Sequence, residues 1–343
     1  MSENRFFSIT SKGKITSLNS AEEVFANNTP GVYYWLDYYK ATREELSSLI
    51  EPFGLHPLTI EDCTDENLVP KIEEYPNNTF IIFNSYAYSR EEKELWVDEV
   101  DFIIGKNYLV TVSGYKSENR RPLEGIEKLI EREIESAKQG PSHLLHVILD
   151  HVVDRKFISI DALEDELDGA EDLLLNDNEN FQPSEIIRLR RYLLTLRKSL
   201  FHEREILVKI CRKDCPFISE KAIYNFRDIY DHLSKFFELT ETYREIVSSL
   251  LEMNVSMMNN RLTQSANQTN VSVRRLTLIS TVFMPLTLLA GIGGMSEWSM
   301  MTGPDKWKIS YPLFLLGMVV IGFLNYLLIK TLERRDKFFQ DNA

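Results

Sequence analysis

Two uncharged apolar stretches near the C-terminus constrain the fold of this chain more than any other feature of its sequence. Leu276–Met295 has twenty residues and Tyr311–Ile329 has nineteen, and neither contains a charged side chain. As helices that rise about 1.5 Å per residue, both can cross a hydrocarbon layer about 30 Å thick. A soluble protein seldom buries two such helices in succession, so we expect a transmembrane hairpin with the loop 296–310 between its spans.

Basic side chains flank the outer ends of this hairpin. Arg274 and Arg275 precede the first span, and Lys330 and Arg334 belong to a basic tail, 330–343. The positive-inside rule therefore places both outer ends in the cytoplasm. Because the chain begins without an apolar run of signal-peptide length, its N-terminal region is also expected there. The expected location is the cell (inner) membrane, crossed twice, with both termini in the cytoplasm.

Residues 1–120 are expected to form a cytoplasmic domain that contains both strands and helices. Four apolar and aromatic runs have the composition of strands: Val32–Tyr39, Phe80–Tyr88, Val97–Ile104 and Tyr108–Val112. Gly105–Asn107 joins the last two as a hairpin turn. Thr42–Phe53 has the spacing of a helix, with Thr42 at its N-cap.

The sequence is helical in pattern from about residue 121 onwards. Residues 121–218 are expected to form antiparallel acidic helices, interrupted at Asn176–Pro183 and ended by Pro216. One apolar face of the first helix consists of Val153, Phe157, Ile160, Leu163, Leu167, Ala170 and Leu174. Residues 219–275 continue as a long stalk helix into the first span. Such a long helix needs neighbours to pack against, which predicts a bundle of identical subunits.

The net charge of −13 disfavours nucleic acid as a partner and favours cations. The sequence has no phosphate-binding loop, no His-Glu-x-x-His and no Gly-x-Ser-x-Gly, so we expect neither an enzyme nor a bound cofactor. The three cysteines cannot form a disulfide framework. Cys211 and Cys215 lie one helical turn apart, and we interpret them as packed small side chains rather than half of a metal site.

The segment 150–179 contains eleven Asp or Glu residues and only two basic ones. A reservoir of cations and a solvated helix face both explain this run, and the solvated face is the preferred interpretation. A transition-metal site on one helix face is a further alternative, formed by His143, His146, Asp150 and Asp154.

One stripe of side chains follows the stalk and the first span in alternating steps of three and four residues. Its members are Thr263, Ala266, Asn270, Val273, Thr277, Ser280, Met284, Thr287, Gly291 and Gly294. A period of about 3.5 residues is typical of helices packed around a common axis. Two interpretations compete, which are close helix packing through small residues and the wall of a water-filled pore. The pore is preferred because the stripe stays polar beyond the membrane.

Hydroxyl, carbonyl and amide oxygens without paired carboxylates suit the passage of a divalent cation that keeps its water shell. Mg²⁺ holds that shell tightly. Leu276 and Met284 would narrow such a pore with apolar rings that close it by dewetting. Inward movement of a doubly charged ion gains about 4.6 kcal/mol per 100 mV of membrane potential, so no nucleotide hydrolysis is required.

Seven short motifs stand out along the chain. The first span contains Phe283–Thr287, Ala290–Ile292 and Gly294-Met295, and the chain before it contains His56-Pro57, Glu61-Asp62, Pro70–Tyr75 and Phe226–His232. Together they resemble the CorA magnesium/cobalt transporter family. The resemblance covers nearly the whole chain in the same order. It implies an α+β cytoplasmic domain followed by long stalk helices and a two-helix transmembrane hairpin, assembled as a homopentamer. The implied partners are further copies of the chain, divalent cations and the lipid bilayer, with Mg²⁺ as the transported and regulatory ion.

Position by position, the resemblance also implies individual roles. It assigns the pore wall to Asn270, Val273, Leu276, Met284, Thr287, Gly291 and Gly294, to which the stripe adds Thr277 and Ser280. Asp228 matches a stalk carboxylate that helps bind regulatory Mg²⁺ in some members. The usual partner of that carboxylate would fall near Ser89, which cannot supply a charge.

The selectivity filter implied by the resemblance consists of Gly294, Met295, Ser296 and Glu297. The family signature is Gly-Met-Asn, so Ser296 replaces an amide with a shorter hydroxyl. Glu297 could instead supply a ring of carboxylates. Mg²⁺ is the first expected ion, followed by Co²⁺ or Ni²⁺, and zinc transport within the same superfamily is the alternative. An alternative from another class is a membrane-tethered signalling or scaffold protein.

Overall fold

The computed structural model describes residues 4–26, 30–65, 69–114, 121–176, 181–294, 303 and 306–340. The chain divides into two compact units, Met1–Asn254 and Val255–Ala343. The first unit contains a β-sheet with helices around it. The second contains two helical segments that are long and apolar enough to cross a membrane.

A seven-stranded sheet organises the first unit. Its strands are β1 (Arg5–Thr10), β2 (Ile15–Leu18), β3 (Val32–Tyr39), β4 (Ile72–Glu74), β5 (Thr79–Ser89), β6 (Glu94–Ile104) and β7 (Tyr108–Ser113). Their order across the sheet is β2-β1-β3-β7-β6-β5-β4. Neighbouring strands are antiparallel, except that β3 and β7 run parallel and align Tyr34 with Tyr108. Aromatic and β-branched side chains fill β3, β5 and β7, as expected for strands buried on both faces.

The helices follow in three groups along the chain. Between β2 and β4 lie α1 (Ala21–Ala26), α2 (Arg43–Ser47), α3 (Ile50–Phe53) and α4 (Pro57–Thr64). After β7 come α5 (Ile126–Arg132), α6 (Ile134–Ala137), α7 (Pro141–Asn176) and α8 (Pro183–Cys211). The last group is α9 (Ile223–Gly293) and α10 (Trp307–Gln340).

The two faces of the sheet pack against different helices, because alternate residues of a strand point to opposite sides. On one face, Leu36 of β3 joins an apolar core with Leu46 and Ile60 from α2 and α4. On the other face, the Tyr33 hydroxyl donates a hydrogen bond to the Ala137 carbonyl at the end of α6. α6 in turn packs on α7.

The structure confirms all four predicted strands and adds three that the sequence did not reveal. The predicted turn Gly105–Asn107 joins β6 and β7, which pair as antiparallel neighbours. The additional strands are β1, β2 and β4. They were missed because β2 and β4 are only four and three residues long and because β1 and β2 alternate weakly between buried and exposed positions.

The predicted helix Thr42–Phe53 is wrong as a single element, since it divides into α2 and α3. Pro52 has no N–H with which to bond the Ser48 carbonyl, so a regular helix cannot continue through this point. The predicted N-cap is correct. The Thr42 hydroxyl accepts a hydrogen bond from the backbone N–H of Glu45, at 3.2 Å.

The long helices break where predicted between Asn176 and Pro183, but two of their ends differ from the prediction. α8 ends at Cys211 rather than at Pro216, and Lys213 just beyond it has a left-handed φ of 67°. Cys211 and Cys215 therefore do not share a helical turn. The helix expected from residue 219 begins at Ile223.

Phe157 does not belong to the buried face that the sequence predicted for α7. Its side chain is 45% exposed, whereas Val153 and Ile160 are buried. The ring stacks on Phe236 of α9, with centroids 5.7 Å apart. A residue at the edge of an apolar face fits the helical period and still meets solvent.

In the second unit, α9 and α10 approach each other at small residues. A Cβ added to Gly293 would lie 2.7 Å from the ring of Phe314. A Cβ added to Gly322 would lie 3.4 Å from Leu286. Small residues at such contacts allow membrane helices to pack closely.

Candidate functional site

Every residue predicted to line a pore is exposed on α9 or directly after it. This set, the polar stripe, consists of Asn270, Val273, Leu276, Thr277, Ser280, Met284, Thr287, Gly291 and Gly294. α9 is helical as far as Gly293, even through Pro285. Steps of three and four residues along a helix place side chains on the same side. The structure therefore brings the predicted positions together on one continuous side of α9.

The side of α9 away from the polar stripe packs against α10. Leu278, Leu286 and Leu289 are half-buried there. Phe283, which is also outside the stripe, is 60% exposed. Within the residues that the structure describes, the polar stripe is left uncovered.

Two threonine hydroxyls of the polar stripe donate their protons to the backbone of α9. Thr277 Oγ1 donates to the Val273 carbonyl at 2.9 Å, and Thr287 Oγ1 donates to the Phe283 carbonyl at 2.8 Å. Each hydroxyl oxygen then offers its lone pairs to the surroundings. The water molecules around a cation turn their hydrogens outwards, so a hydrated cation is recognised by acceptors of this kind.

A shallow groove of about 720 Å³ lies along the outer part of the stripe. Its lining includes Ser280, Met284, Thr287 and Gly291. Nothing in the described part of the chain lies within 4 Å of a Cβ added to Gly291. The groove thus combines oxygen acceptors with large apolar side chains, which are those of Phe283, Met284, Leu288 and Ile292.

Of the predicted filter, only Gly294 is described. Its backbone N–H donates to the Ala290 carbonyl at 3.0 Å, which completes the last turn after α9. Met295, Ser296 and Glu297 lie outside the described residues. The roles assigned to them stay predictions.

A group of potential metal ligands lies where α7 and α9 meet in the first unit. One ligand atom from each of Asp150, Asp154 and His232 lies within 4.8 Å of the others. Asp228 precedes His232 by one helical turn and therefore lies on the same side of α9. Two carboxylates and an imidazole form a donor set that suits divalent cations, with the imidazole favouring Co²⁺, Ni²⁺ or Zn²⁺. These three ligand residues are called the α7–α9 cluster.

Burial and neighbouring charges shift the pKa values around the α7–α9 cluster. Burial, and then the charge of Asp154, raise the pKa of Asp150 to about 6, while His232 opposes the shift. Burial lowers the pKa of His146, and Asp228 opposes that shift. Asp228 is thus within electrostatic reach of this region, and its assignment to a regulatory site stays a prediction.

The α7–α9 cluster differs from the transition-metal site considered in the sequence analysis. Asp150 and Asp154 belong to both. His143 is buried, with 4% of its surface exposed, and the ring of His146 meets Phe226 edge-on at 5.8 Å. The third ligand is His232, which comes from another helix, and no spacing rule connects residues so far apart in the chain.

Ser89, the position expected to face Asp228, has a local role at the end of β5. It is buried, and its hydroxyl accepts a hydrogen bond from the backbone N–H of Glu92 at 3.3 Å. This contact caps the turn between β5 and β6.

The motif residues before the stalk fix α4 to the edge of the sheet. His56 is the N-cap of α4 and stacks on Tyr75, with ring centroids 5.2 Å apart. Lys71 bridges Asp62 of α4 and Glu73 of β4, at 2.8 and 2.9 Å. These contacts give the motif a structural role.

The similarity to known proteins extends over most of the chain. Residues 30–331 match the family described as CorA-like Mg²⁺ transporter protein. The cobalt/magnesium transport protein CorA of Thermotoga maritima is 31% identical over 313 residues, which are 91% of this chain and 85% of that protein. The Bacillus subtilis protein YfjQ, named a putative metal ion transporter, is 33% identical over 85% of this chain and 87% of its own length.

The fold is also similar to that of a solved structure. The complete structure of the CorA magnesium transporter from Methanocaldococcus jannaschii superposes with a TM-score of 0.69 and 24% sequence identity. The match covers 95% of this chain and 97% of the other. It confirms the predicted order of a mixed α/β domain, long helices and two apolar helices.

Proposed function

This chain belongs to the CorA-like Mg²⁺ transporter family, and we propose on that premise that it is a subunit of a membrane channel for divalent cations. Mg²⁺ is the main ion that it transports, and Co²⁺ or Ni²⁺ are further transported ions. The chain is a transport protein rather than an enzyme. The name of the Thermotoga relative, a cobalt/magnesium transport protein, supports these ions over the zinc alternative.

The observation that carries the proposal is the uncovered polar stripe. α10 packs on the other side of α9, and the stripe keeps its oxygen acceptors and small residues accessible. A lipid-facing surface would instead be expected to carry bulky apolar side chains throughout, whereas the stripe also carries hydroxyl groups and glycines. A water-filled pore beside the stripe accounts for this difference.

Two spans cannot enclose a pore, so the channel requires several copies around one axis. We take the assembly to be a homopentamer, as the family resemblance implies. Each copy would contribute its polar stripe to the wall. The heptad-like spacing of the stripe supports such a bundle, because side chains at this spacing stay turned towards a common axis.

Ion passage would proceed with the water shell largely retained. Thr277 and Thr287 accept hydrogen bonds from that shell, and the apolar rings of Leu276 and Met284 close the path when it dewets. The inside-negative membrane potential supplies the driving force. Gly294, Met295, Ser296 and Glu297 would form the filter at the outer end.

The α7–α9 cluster is the proposed regulatory site, together with the neighbouring Asp228. Cations that enter the cytoplasm would bind to this cluster, and their binding would reduce further uptake through the channel. Oxygen ligands accept Mg²⁺, and His232 would add affinity for the softer transition metals.

The chain is a membrane protein with two candidate spans. We propose that it lies in the inner membrane with both termini in the cytoplasm, which the flanking cations support. Protease digestion of sealed inverted vesicles would cut the first unit if this orientation is correct, and right-side-out vesicles would protect it.

The central test is ion flux into liposomes that contain only the purified chain. We expect Mg²⁺ and Co²⁺ uptake that increases when a potassium diffusion potential makes the lumen negative. Gly294→Trp should abolish uptake, because a bulky ring would fill the narrow outer end. Ile279→Trp is the matched control, since Ile279 is 56% exposed on α9 and is not a member of the polar stripe.

Three results would contradict the proposal. They are the absence of flux for Mg²⁺, Co²⁺, Ni²⁺ and Zn²⁺ alike, equal flux through the Gly294→Trp protein, and zinc uptake that exceeds the other ions and requires a pH gradient. The first would leave the membrane-tethered scaffold as the function, and the third would make the chain a proton-coupled zinc transporter.

A further inference from the structure

The exposed side of α7 carries a run of aspartates beside one large apolar residue. This acidic stripe consists of Ile158, Asp161, Asp165, Asp168 and Asp172, all exposed. Asp165 forms an ion pair with Arg90 at 2.6 Å, and both side chains of this pair are exposed to solvent. Like charges three and four residues apart on a helix repel each other. Asp165 is the one aspartate of the stripe with an ion pair among the described residues, so the stripe presents a net negative surface with an apolar end.

The exposed side of α8 carries the opposite charge. This basic stripe consists of Ile187, Arg190, Arg191, Leu194, Lys198 and Phe201, all exposed. Its three apolar members are spaced seven residues apart and are 51%, 46% and 50% exposed. A spacing of seven residues keeps them on one side of the helix. Exposed apolar side chains aligned in this way mark an interaction surface.

The cations of α8 that form ion pairs in the described part of the chain lie outside the basic stripe. Arg188 pairs with Glu166 of α7 at 3.3 Å, and Arg197 pairs with Glu241 of α9. The contact between α7 and α8 within one subunit thus uses other side chains. Both stripes face away from this contact and remain available to a partner.

The two stripes match in length as well as in charge. Each spans fifteen residues, from Ile158 to Asp172 and from Ile187 to Phe201, which is about 21 Å of helix from the first Cα to the last. One subunit offers both surfaces and cannot join them to each other, because they lie on the outer sides of two helices that are already packed together. A second copy of the chain supplies the missing complement.

We infer that the acidic stripe of α7 in one subunit docks on the basic stripe of α8 in the next. This inference rests on the proposed assembly of several copies. Such a contact joins two different surfaces, so each subunit uses one stripe on either side, and repetition of the contact closes a ring. The aspartates meet the arginines and the lysine, and the apolar residues of α8 pack beside Ile158.

An anionic lipid surface would also attract the basic stripe, because basic amphipathic helices bind such surfaces. The observations favour a second copy for two reasons. A lipid surface of negative charge would leave the acidic stripe without a partner, and it would offer no feature of matching length. The test below separates the two occupants.

The test uses the full-length chain in two differently tagged forms, co-expressed so that mixed assemblies form. One form carries Ile158→Cys, and the other carries Ile187→Cys, Leu194→Cys or Phe201→Cys in turn. A disulfide requires Cα atoms within about 7 Å, so the three positions sample the register of the contact. Any disulfide that joins the two tags must bridge two subunits. The wild-type chain, which has its own three cysteines, sets the background.

We expect a disulfide between the tags for at least one of the three positions. Lys128→Cys, exposed on α5 and outside both stripes, replaces the α8 cysteine in the matched control and should give only background. Charge exchange provides the second arm. Asp161→Lys with Asp168→Lys should lower the yield about fivefold, because like charges then face each other. Arg191→Glu with Lys198→Glu on the other form should restore it.

Different results would contradict the docking of the two stripes and the proposed channel function. Yields at the level of the Lys128→Cys control for all three positions overturn the docking of the stripes, and normal Mg²⁺ flux in the same preparation leaves the channel proposal intact. Absence of both flux and assembly overturns both. If liposomes with anionic lipid shield Leu194→Cys from a water-soluble thiol reagent while no disulfide joins the tags, the basic stripe binds lipid and the inference is wrong.

Discussion

Lys156 of α7 and Glu203 of α8 form an ion pair in which neither side chain is exposed to solvent. Glu203 also accepts hydrogen bonds from the backbone N–H of Asn84 at 3.0 Å and from the Ser199 hydroxyl at 3.1 Å. The ammonium group lies 5.2 Å from the ring centres of two aromatic residues of β5. The pair thus connects α7, α8 and the sheet through one buried carboxylate.

Lys156→Met should destabilise the protein by about 3–5 kcal/mol, because it leaves the Glu203 charge buried without a counterion. Lys156→Met combined with Glu203→Gln should recover most of that loss, since the amide oxygen can still accept hydrogen bonds. Denaturant unfolding of the full chain in detergent measures both. Glu220→Gln, which removes an exposed pair with Lys213, should change stability by less than about 1 kcal/mol. Equal losses in the single and double variants would contradict the argument.

The buried carboxyl of Asp101 should make the protein less stable as pH rises. Burial, and then the charge of Glu99, raise the pKa of Asp101 well above its ordinary value, so the folded state binds a proton that the unfolded state releases above about pH 4. The stabilising effect of that proton is complete at low pH and is lost as pH rises towards the folded-state pKa.

The measurement for Asp101 is the denaturation midpoint between pH 5 and pH 9. Asp101→Asn should flatten the pH dependence and stabilise the protein at pH 8, because the amide has no proton to lose. Asp65→Asn, which changes an exposed carboxyl in the same region, is the matched control. An Asp101→Asn protein that is less stable than the wild type at pH 8, or that keeps the wild-type pH dependence, would contradict this prediction.

His232→Ala should weaken Co²⁺ binding to the detergent-solubilised chain by about tenfold or more and should affect Mg²⁺ binding much less. The reason is that imidazole contributes most to the softer ion. Asp154→Asn should weaken both ions, because it removes an oxygen ligand that each of them uses. Titration calorimetry with each metal separates the two effects. His202→Ala, a half-exposed histidine on α8, serves as the control.

Cation binding at the α7–α9 cluster should also depend on pH. With the pKa of Asp150 raised to about 6, its carboxyl is protonated below that pH and cannot ligate a cation. Affinity should therefore fall as pH drops from 7 to about 5. Asp150→Asn should bind more weakly at pH 7 and lose the part of this dependence that Asp150 causes. An unchanged pH profile in that variant would remove Asp150 from the site.

Two neighbouring glycines of α9 should respond differently to the same substitution. A Cβ on Gly293 meets Phe314 at 2.7 Å, whereas nothing in the described chain lies within 4 Å of one on Gly291. Gly293→Ala should lower stability in detergent by about 1–3 kcal/mol through overpacking. Gly291→Ala should leave stability unchanged and reduce ion flux, because it narrows the proposed pathway. Thermal unfolding and liposome flux measure the pair, and a reversed pattern would contradict the placement of α10.

The sequence revealed the strands whose side chains are apolar on both faces and the helices whose apolar period is long. β3 and β5 are examples, since few of their residues meet solvent. β2 and β4 have too few residues for an alternation to stand out. The division between α2 and α3 depends on a single missing N–H at Pro52, which a spacing rule does not weigh. The parallel pairing of β3 with β7 has no local signal at all.

The candidate sites divide along the same line. The polar stripe follows from periodicity within one helix, so most of its members could be identified from spacing alone, and Leu276 came from the family resemblance. The α7–α9 cluster needs two helices to meet, and His232 shows no pattern with Asp150 until they do. The surroundings of the stripe likewise cannot be predicted from periodicity, because they depend on other copies of the chain.

The parallel contact between β3 and β7 also determines when the sheet can form during synthesis of the chain. The N-terminal strands cannot join the rest of the sheet until Ser113 has been made, because β7 is their only link to β6 among the described strands. The first apolar span begins at Leu276, about 160 residues later. At about 5–20 residues per second, ribosomes need roughly ten to thirty seconds for that interval. β3 and β7 therefore have time to pair before the first apolar span is synthesised. Until then, that span cannot form non-native contacts with the apolar strands of the sheet.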